Sequence, residues 1–254
     1  MGFRRNAAAF TMVEIAISLA IIGFALVAII GVLPLGMNVQ RDNREETIIN
    51  QDATYLIDAI RSGARGLDDL TNAVLAITNY VTRYDANTNN PPPPIINGYT
   101  YTNSSPGTPY FPINNGFRII GLMSTPKYVF GVREFYSNHV VAYVRALSGL
   151  AVEKFPQDNP DVRQGAFSYR VLVENLALPA PVDPATNSAS RQLTHNLREL
   201  RLSFRWPLLA GGQPGNRGQT FRTMVGGQLV KIKDSDKDPD LYFFQPQDFV
   251  KEAP

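Results

Sequence analysis

The chain has 254 residues, 44% of them hydrophobic and 18% charged, which is enough to bury a core in one domain plus an appendage and excludes global disorder. Its 24 basic residues are scattered among 22 acidic ones for a formal net charge of +2, so the sequence carries no electrostatic footprint for nucleic acid. The absence of cysteine removes disulfide frameworks, thiolate catalysis and cysteine metal sites together.

The N-terminus holds the strongest asymmetry. From Ile15 through Gly36 the sequence carries no charged residue, and Ser18 is its only hydroxyl. The stretch meets the roughly 20-residue length needed to cross a hydrocarbon core. Arg4 and Arg5 precede it, and the mixed cluster Arg41, Asp42, Arg44, Glu45 and Glu46 follows. That placement of positive charge predicts a cytoplasmic N-terminus and an exported remainder. An ordinary signal peptide fits less well: its apolar region runs about 7 to 15 residues and ends in a small-x-small site, whereas here Ala7, Ala8 and Ala9 come before the run. Glu14 lies at the start of the apolar segment. A carboxylate costs about 2.5–3.5 kcal/mol at the centre of a membrane helix and less near the interface, so Glu14 requires a partner. The sequence suggests none nearby on the same helix.

Beyond the span the helix continues with a change of face. Ile49, Ala53, Leu56, Ile57 and Ile60 recur at three- and four-residue spacing among Arg44, Glu45, Asn50, Asp52 and Asp58, which predicts an amphipathic helix ending near Ser62-Gly63. Pro34 is expected to kink or locally melt the helix. A second helical stretch is expected over about 67–84. Residues 85–116, with four prolines at 91–94 and Ser104-Ser105-Pro106-Gly107, read as a long surface loop. Strands are expected at 117–123, 128–135, 140–147 and 166–177, and at 197–206, where Leu200, Leu202, Phe204 and Trp206 alternate with polar neighbours. A glycine-rich loop at 211–218 leads to a hairpin partner at 221–225.

The stretch Ala9-Phe10-Thr11-Met12-Val13-Glu14, with the apolar helix that follows it, resembles the processing site of class III prepilins, with Ala9 where most members carry glycine. The resemblance implies an α+β, pilin-like fold: a leader at 1–9, a long helix at 10–62 whose membrane-spanning half covers about 15–36, and an exported α+β head at 63–254 built on an antiparallel sheet. It implies cleavage between Ala9 and Phe10 and methylation of the new amino terminus by a prepilin peptidase. It implies a bacterial inner-membrane location with a single pass through the bilayer, and as partners an assembly platform and other pilin or pseudopilin subunits. In that family the carboxylate corresponding to Glu14 pairs with the terminal amine of a neighbouring subunit, here on Phe10. Opposite charges in a low-dielectric setting attract far more strongly than in water.

Little in the sequence points to catalysis. His139 and His195 have no histidine or carboxylate at metal-ligand spacing and read as structural, and no nucleotide-cradling or hydrolase motif is present. Asp234, Asp236, Asp238 and Asp240 alternate near the C-terminus and offer oxygen ligands of the kind calcium takes, but Pro239 and Gln245 stand where an EF-hand loop needs glycine and glutamate. A solvated acidic turn is the competing reading. Two functional classes stay open: an assembly subunit of a type IV pilus or type II secretion pseudopilus, and a single-pass anchored envelope protein whose head binds a ligand or surface.

Overall fold

A computed structural model describes residues 10–63, 69–85, 95–102, 112–130, 134–147, 167–179, 187–209, 211–233 and 239–250. The chain is α+β, with a long apolar N-terminal helix and an antiparallel sheet. It divides into two compact units, Met1–Thr47 and Ile48–Pro254.

Helix α1 (Met12–Ser62) supplies all the described regular structure of the first unit. Residues 10–41 are exposed throughout, including the large apolar side chains from Phe10 to Val39. The helix runs unbroken through Pro34, so the expected local melting does not occur. Proline removes one N–H and crowds one carbonyl, a penalty of about 3 kcal/mol. The long helical flanks on either side keep their own hydrogen bonds, and the damage stays within one turn.

In the second unit the part of α1 from Ile48 onward buries Ile49, Ala53, Leu56 and Ile60, the stripe expected from their spacing, while Ile57 is only partly buried. The helix stops at Gly63, whose φ of +72° suits glycine and whose missing side chain leaves room for the Phe244 carbonyl, 2.6 Å from where a Cβ would lie. Short helix α2 (Leu70–Ala73) leads directly into β1 (Val74–Asp85). The helix expected over 67–84 is therefore mostly strand. Ile77, Val81, Thr78, Thr82, Tyr80 and Tyr84 are β-formers, and β1 lies between two partner strands that satisfy its backbone on both sides.

Strand β2 (Ile95–Thr102) pairs with β1 from Arg83↔Ile95 to Ala76↔Thr102. A regular strand thus interrupts the loop expected over 85–116. Residues 117–123, expected as strand, belong instead to helix α3 (Gly116–Met123). Asn115 caps it, its Oδ1 accepting from the Arg118 N–H at 2.8 Å, and Ile119, Ile120, Leu122 and Met123 are buried. A short apolar run reads the same in either conformation; the asparagine before it was the distinguishing signal. The stretch 128–135 is likewise two pieces, β3 (Tyr128–Phe130) folded back on the start of β4 (Glu134–Arg145), with Phe130 opposite Phe135.

The remaining elements are β5 (Ser168–Ala177), α4 (Ser188–Asn196), β6 (Leu197–Leu208), β7 (Pro214–Gly226), β8 (Gln228–Ile232) and β9 (Leu241–Gln245). The main sheet is antiparallel in the order β2-β1-β4-β5-β6-β7, with β3 on β4; β8 and β9 pair separately. The alternation read in the sequence holds on β5 and β6: Tyr169, Val171 and Val173, then Leu200, Leu202, Phe204 and Trp206, all face the core. The glycine-rich segment at 211–218 is shorter as a loop than expected, because β7 already begins at Pro214; the turn is closed by Leu209 N–H on the Gln213 carbonyl at 2.9 Å.

One charged side chain lies within the packed helix face. Asp52 is 1% exposed, and its Oδ2 accepts from the Tyr169 hydroxyl at 2.8 Å and the Leu147 N–H at 2.9 Å. Burial, reinforced by the Asp52 charge, pushes the Tyr169 phenol well above the ordinary tyrosine range. Asp52→Ala leaves both donors buried without this acceptor and should cost roughly 3–5 kcal/mol, and Tyr169→Phe about 1.5–3 kcal/mol. Urea unfolding of the full chain in detergent, followed by the fluorescence of Trp206, the single and buried tryptophan, reads both values. Wild-type midpoints in both variants would show that this contact does not hold the helix.

Candidate functional site

Among the described residues, the start of α1 is where residues singled out by the sequence come together. Ala9 lies outside the described residues. Phe10 is 81% exposed and precedes the helix. Thr11 is the residue before the first helical turn, and Glu14 is the third residue within it. The Glu14 carboxylate accepts from the Thr11 N–H and the Thr11 hydroxyl, both at 2.8 Å, while the Thr11 Oγ1 accepts from the Glu14 N–H at 3.3 Å. This is a capping box, in which residue and cap satisfy each other's orphan donors. The expectation that Glu14 lacks a partner on its own helix is thus corrected: the threonine three residues before it is the partner, and the pattern Thr-x-x-Glu ahead of an apolar run was its signal. The carboxylate also lies at the positive end of the helix dipole.

From this cap the helix carries no charged residue until Arg41. It is long and apolar enough to cross a membrane. An exposed face of this size needs a nonaqueous environment or a partner. Arg41 and Glu45 form an ion pair one turn apart at 2.9 Å.

Among the described residues the other candidates do not assemble into a site. Asp234, Asp236 and Asp238 lie outside the described residues, and Asp240 pairs with Lys231 at 2.7 Å. Among the described residues no group of three or more histidines or acids is placed to hold a metal. His139 lies on β4, and His195 is in the last turn of α4, just before β6. A cavity of about 420 Å³ beside the end of α1 is lined by Gly63, Phe117, Phe243 and Asp248 among others, and Asp248 is the ionisable side chain among its described lining residues.

Replacing Thr11 by valine removes the hydroxyl from the cap and should cost the first turn about 0.5–2 kcal/mol. Amide hydrogen exchange in micelles should then speed up from Met12 to Ile15 and stay unchanged beyond Ser18; equal protection in both proteins would mean the cap contributes nothing. No family model, curated protein or solved structure matches the chain.

Proposed function

We propose that the chain is a pilin-like assembly subunit of a type IV pilus or type II secretion pseudopilus. On this reading a prepilin peptidase cuts it between Ala9 and Phe10, an inner-membrane platform takes it up, and its N-terminal helix packs against those of other subunits. The supporting observation is the juxtaposition at the start of α1. A prepilin-like junction, Ala9-Phe10-Thr11, stands directly before a capped helix whose residues 10–41 are all exposed and, as far as Gln40, without any charge but that of Glu14. An apolar helix of this length is compatible with both a lipid bilayer and a bundle of like helices as its surroundings.

In this reading Glu14 has two separable duties. As the third residue of the helix it completes the cap, which a glutamine also does. As a charge it answers the amine that cleavage frees on Phe10 of a neighbouring subunit, which a glutamine cannot do.

The first experiment is the N-terminal sequence and mass of the chain recovered from membranes with and without a prepilin peptidase. A chain beginning at methylated Phe10 only with the peptidase is the expected outcome; an uncut chain, or one cut after the apolar run, removes the proposal and leaves an anchored envelope protein. Glu14→Gln should keep the protection of the first helical turn and the cleavage, yet reduce incorporation into filaments at least tenfold. Wild-type incorporation of that variant would discard the charge pairing.

A further inference from the structure

The main sheet ends at β7, which pairs with β6 on one side and with no described strand on the other. Antiparallel pairing alternates residues that exchange both backbone hydrogen bonds with the partner strand and residues whose N–H and C=O point away from it. Two contacts fix the phase. The Gly227 N–H donates to the Asn196 carbonyl at 2.8 Å, and the Phe204 carbonyl lies 3.0 Å from where a Gly218 side chain would begin, so it points into β7. Along the unbroken register from Leu197↔Gly226 to Trp206↔Arg217, Gln219, Phe221, Thr223 and Val225 therefore bond to β6, whereas Gly218, Thr220, Arg222 and Met224 turn their backbone groups to the free side. All four are exposed, and none of their outward groups bonds to the backbone of another described residue.

An open ladder of this kind is a template for another strand, and sheets blunt it with lysine, proline or a bulge. Strand β7 has no lysine, and its one proline is its first residue, Pro214. Beside the edge lies positive charge. Strands β6 and β7 carry Arg198, Arg201, Arg205, Arg217 and Arg222 against the single acid Glu199. Glu199 meets Arg201 at 3.0 Å and Arg222 only at 3.9 Å, with the Arg222 side chain 65% exposed. Arg205, also exposed, extends over Gly218: its Cδ and Nε lie 2.8 and 3.0 Å from the place a Cβ would take, space that glycine leaves open. Among the described residues Arg205 forms no ion pair, its Nη1 donating to the Asn216 carbonyl at 3.4 Å. Two guanidinium groups thus flank the open ladder at Gly218 and Arg222, roughly 13 Å apart on one face.

We infer that the free edge of β7 is a docking site for an extended acidic segment of a partner protein, which adds as a strand and sets two carboxylates, four residues apart, on Arg205 and Arg222. The backbone ladder supplies affinity, and the charges supply the choice of partner. Every second side chain of the added strand lies on the outer face beside Gly218, Thr220 and Arg222, and the intervening ones lie on the face of Phe221 and Val225. Phe221 packs at the rim of the core, so those intervening positions take apolar residues. A second copy of the chain does not meet the charge requirement. Its β7 carries arginine and no acid, and β2, the strand at the other end of the sheet, has no charged residue. A polyanion without an amide backbone would answer the arginines and leave the ladder unpaired. The site lies within the second unit and does not depend on the filament reading.

The test is calorimetric titration of the full chain in detergent micelles with a peptide that alternates valine and threonine and carries two glutamates four residues apart, followed by amide hydrogen exchange. The peptide should bind, more weakly as salt is raised, and should slow exchange at Gly218, Thr220, Arg222 and Met224 about tenfold, whereas Gln219, Phe221 and Thr223 are protected without it. The same peptide with lysines in place of the glutamates should bind about tenfold more weakly. Thr220→Pro removes an outward N–H and spares the pairing to β6, so it should keep the Trp206 unfolding transition and weaken Kd about tenfold. Arg222→Gln should weaken Kd about fivefold and keeps the test available if Thr220→Pro fails to fold. Lys231→Gln, whose charge faces Asp240, should leave Kd within about twofold. No binding, equal binding of the lysine peptide, binding without slowed exchange at those four amides, wild-type affinity in either folded variant, or slowed exchange there through self-association without peptide would each overturn the inference.

Discussion

The packing of the second unit turns on the buried carboxylate of Asp52. Hydrophobic burial brings Ile49, Ala53, Leu56 and Ile60 onto the sheet, but it is non-directional and would tolerate a helix rotated or shifted by a fraction of a turn. Asp52 does not tolerate it. Its carboxylate loses solvation on burial, a penalty of several kcal/mol, and regains part of it where the Tyr169 hydroxyl and the Leu147 N–H both reach it. Those donors come from β5 and from the segment following β4, two places far apart in sequence. One helix position satisfies both, so these hydrogen bonds to the carboxylate set the register that the apolar stripe alone leaves loose. Tyr169 in turn packs against Phe204 at a ring-centroid distance of 5.4 Å, which carries the constraint into β6.

How far the sequence revealed this varies with the physics of each element. The stripe on α1 and the alternation on β5 and β6 were readable because one face of each is buried and the other wet, which writes a period into the residues. Helix α3 and strands β1 and β2 were misread for complementary reasons. Ile119, Ile120, Leu122 and Met123 are all buried in the helix and so show no polar face. Strand β1 is decided by partners on both sides, and β2 by pairing with β1, information that no local window contains. Asp52 was legible only as one polar residue among others between apolar positions. That it is buried follows from where β5 presents a tyrosine. The capping box, by contrast, was fully local and could have been read from Thr11 and Glu14 directly.

The two faces of the sheet divide the chemistry. The core face carries most of the buried apolar residues and meets α1 and α3, whereas the opposite face holds the ion pairs of Lys127, Glu174, Glu199, Arg201 and Arg222. The buried amides of Asn138 and Asn175 reinforce this division. The Nδ2 of Asn138 donates to the Pro126 carbonyl at 2.9 Å and that of Asn175 to the Ser124 carbonyl at 2.7 Å, fixing the segment between α3 and β3 that presents Lys127 to Glu174. Charge on the outer face is thus positioned by polar groups buried within the core, and substitutions at either asparagine would be felt on a surface they do not reach.

The cap at the start of α1 bears on the proposed assembly. A capping box draws the Glu14 carboxylate back toward the chain start, onto the Thr11 N–H and hydroxyl, and so holds it in one orientation at the N-terminal end of the helix. A carboxylate has about four lone-pair sites, and two donors from Thr11 leave room for an ammonium group beside them. In the proposed filament the cap and the ion pair are therefore cooperative: the cap removes the conformational freedom of the glutamate before the charge partner arrives, and the low dielectric that makes the carboxylate expensive also makes its pairing strong. Thr11 then matters for assembly through the orientation it gives Glu14, a role that its own hydroxyl would perform without touching a neighbouring chain.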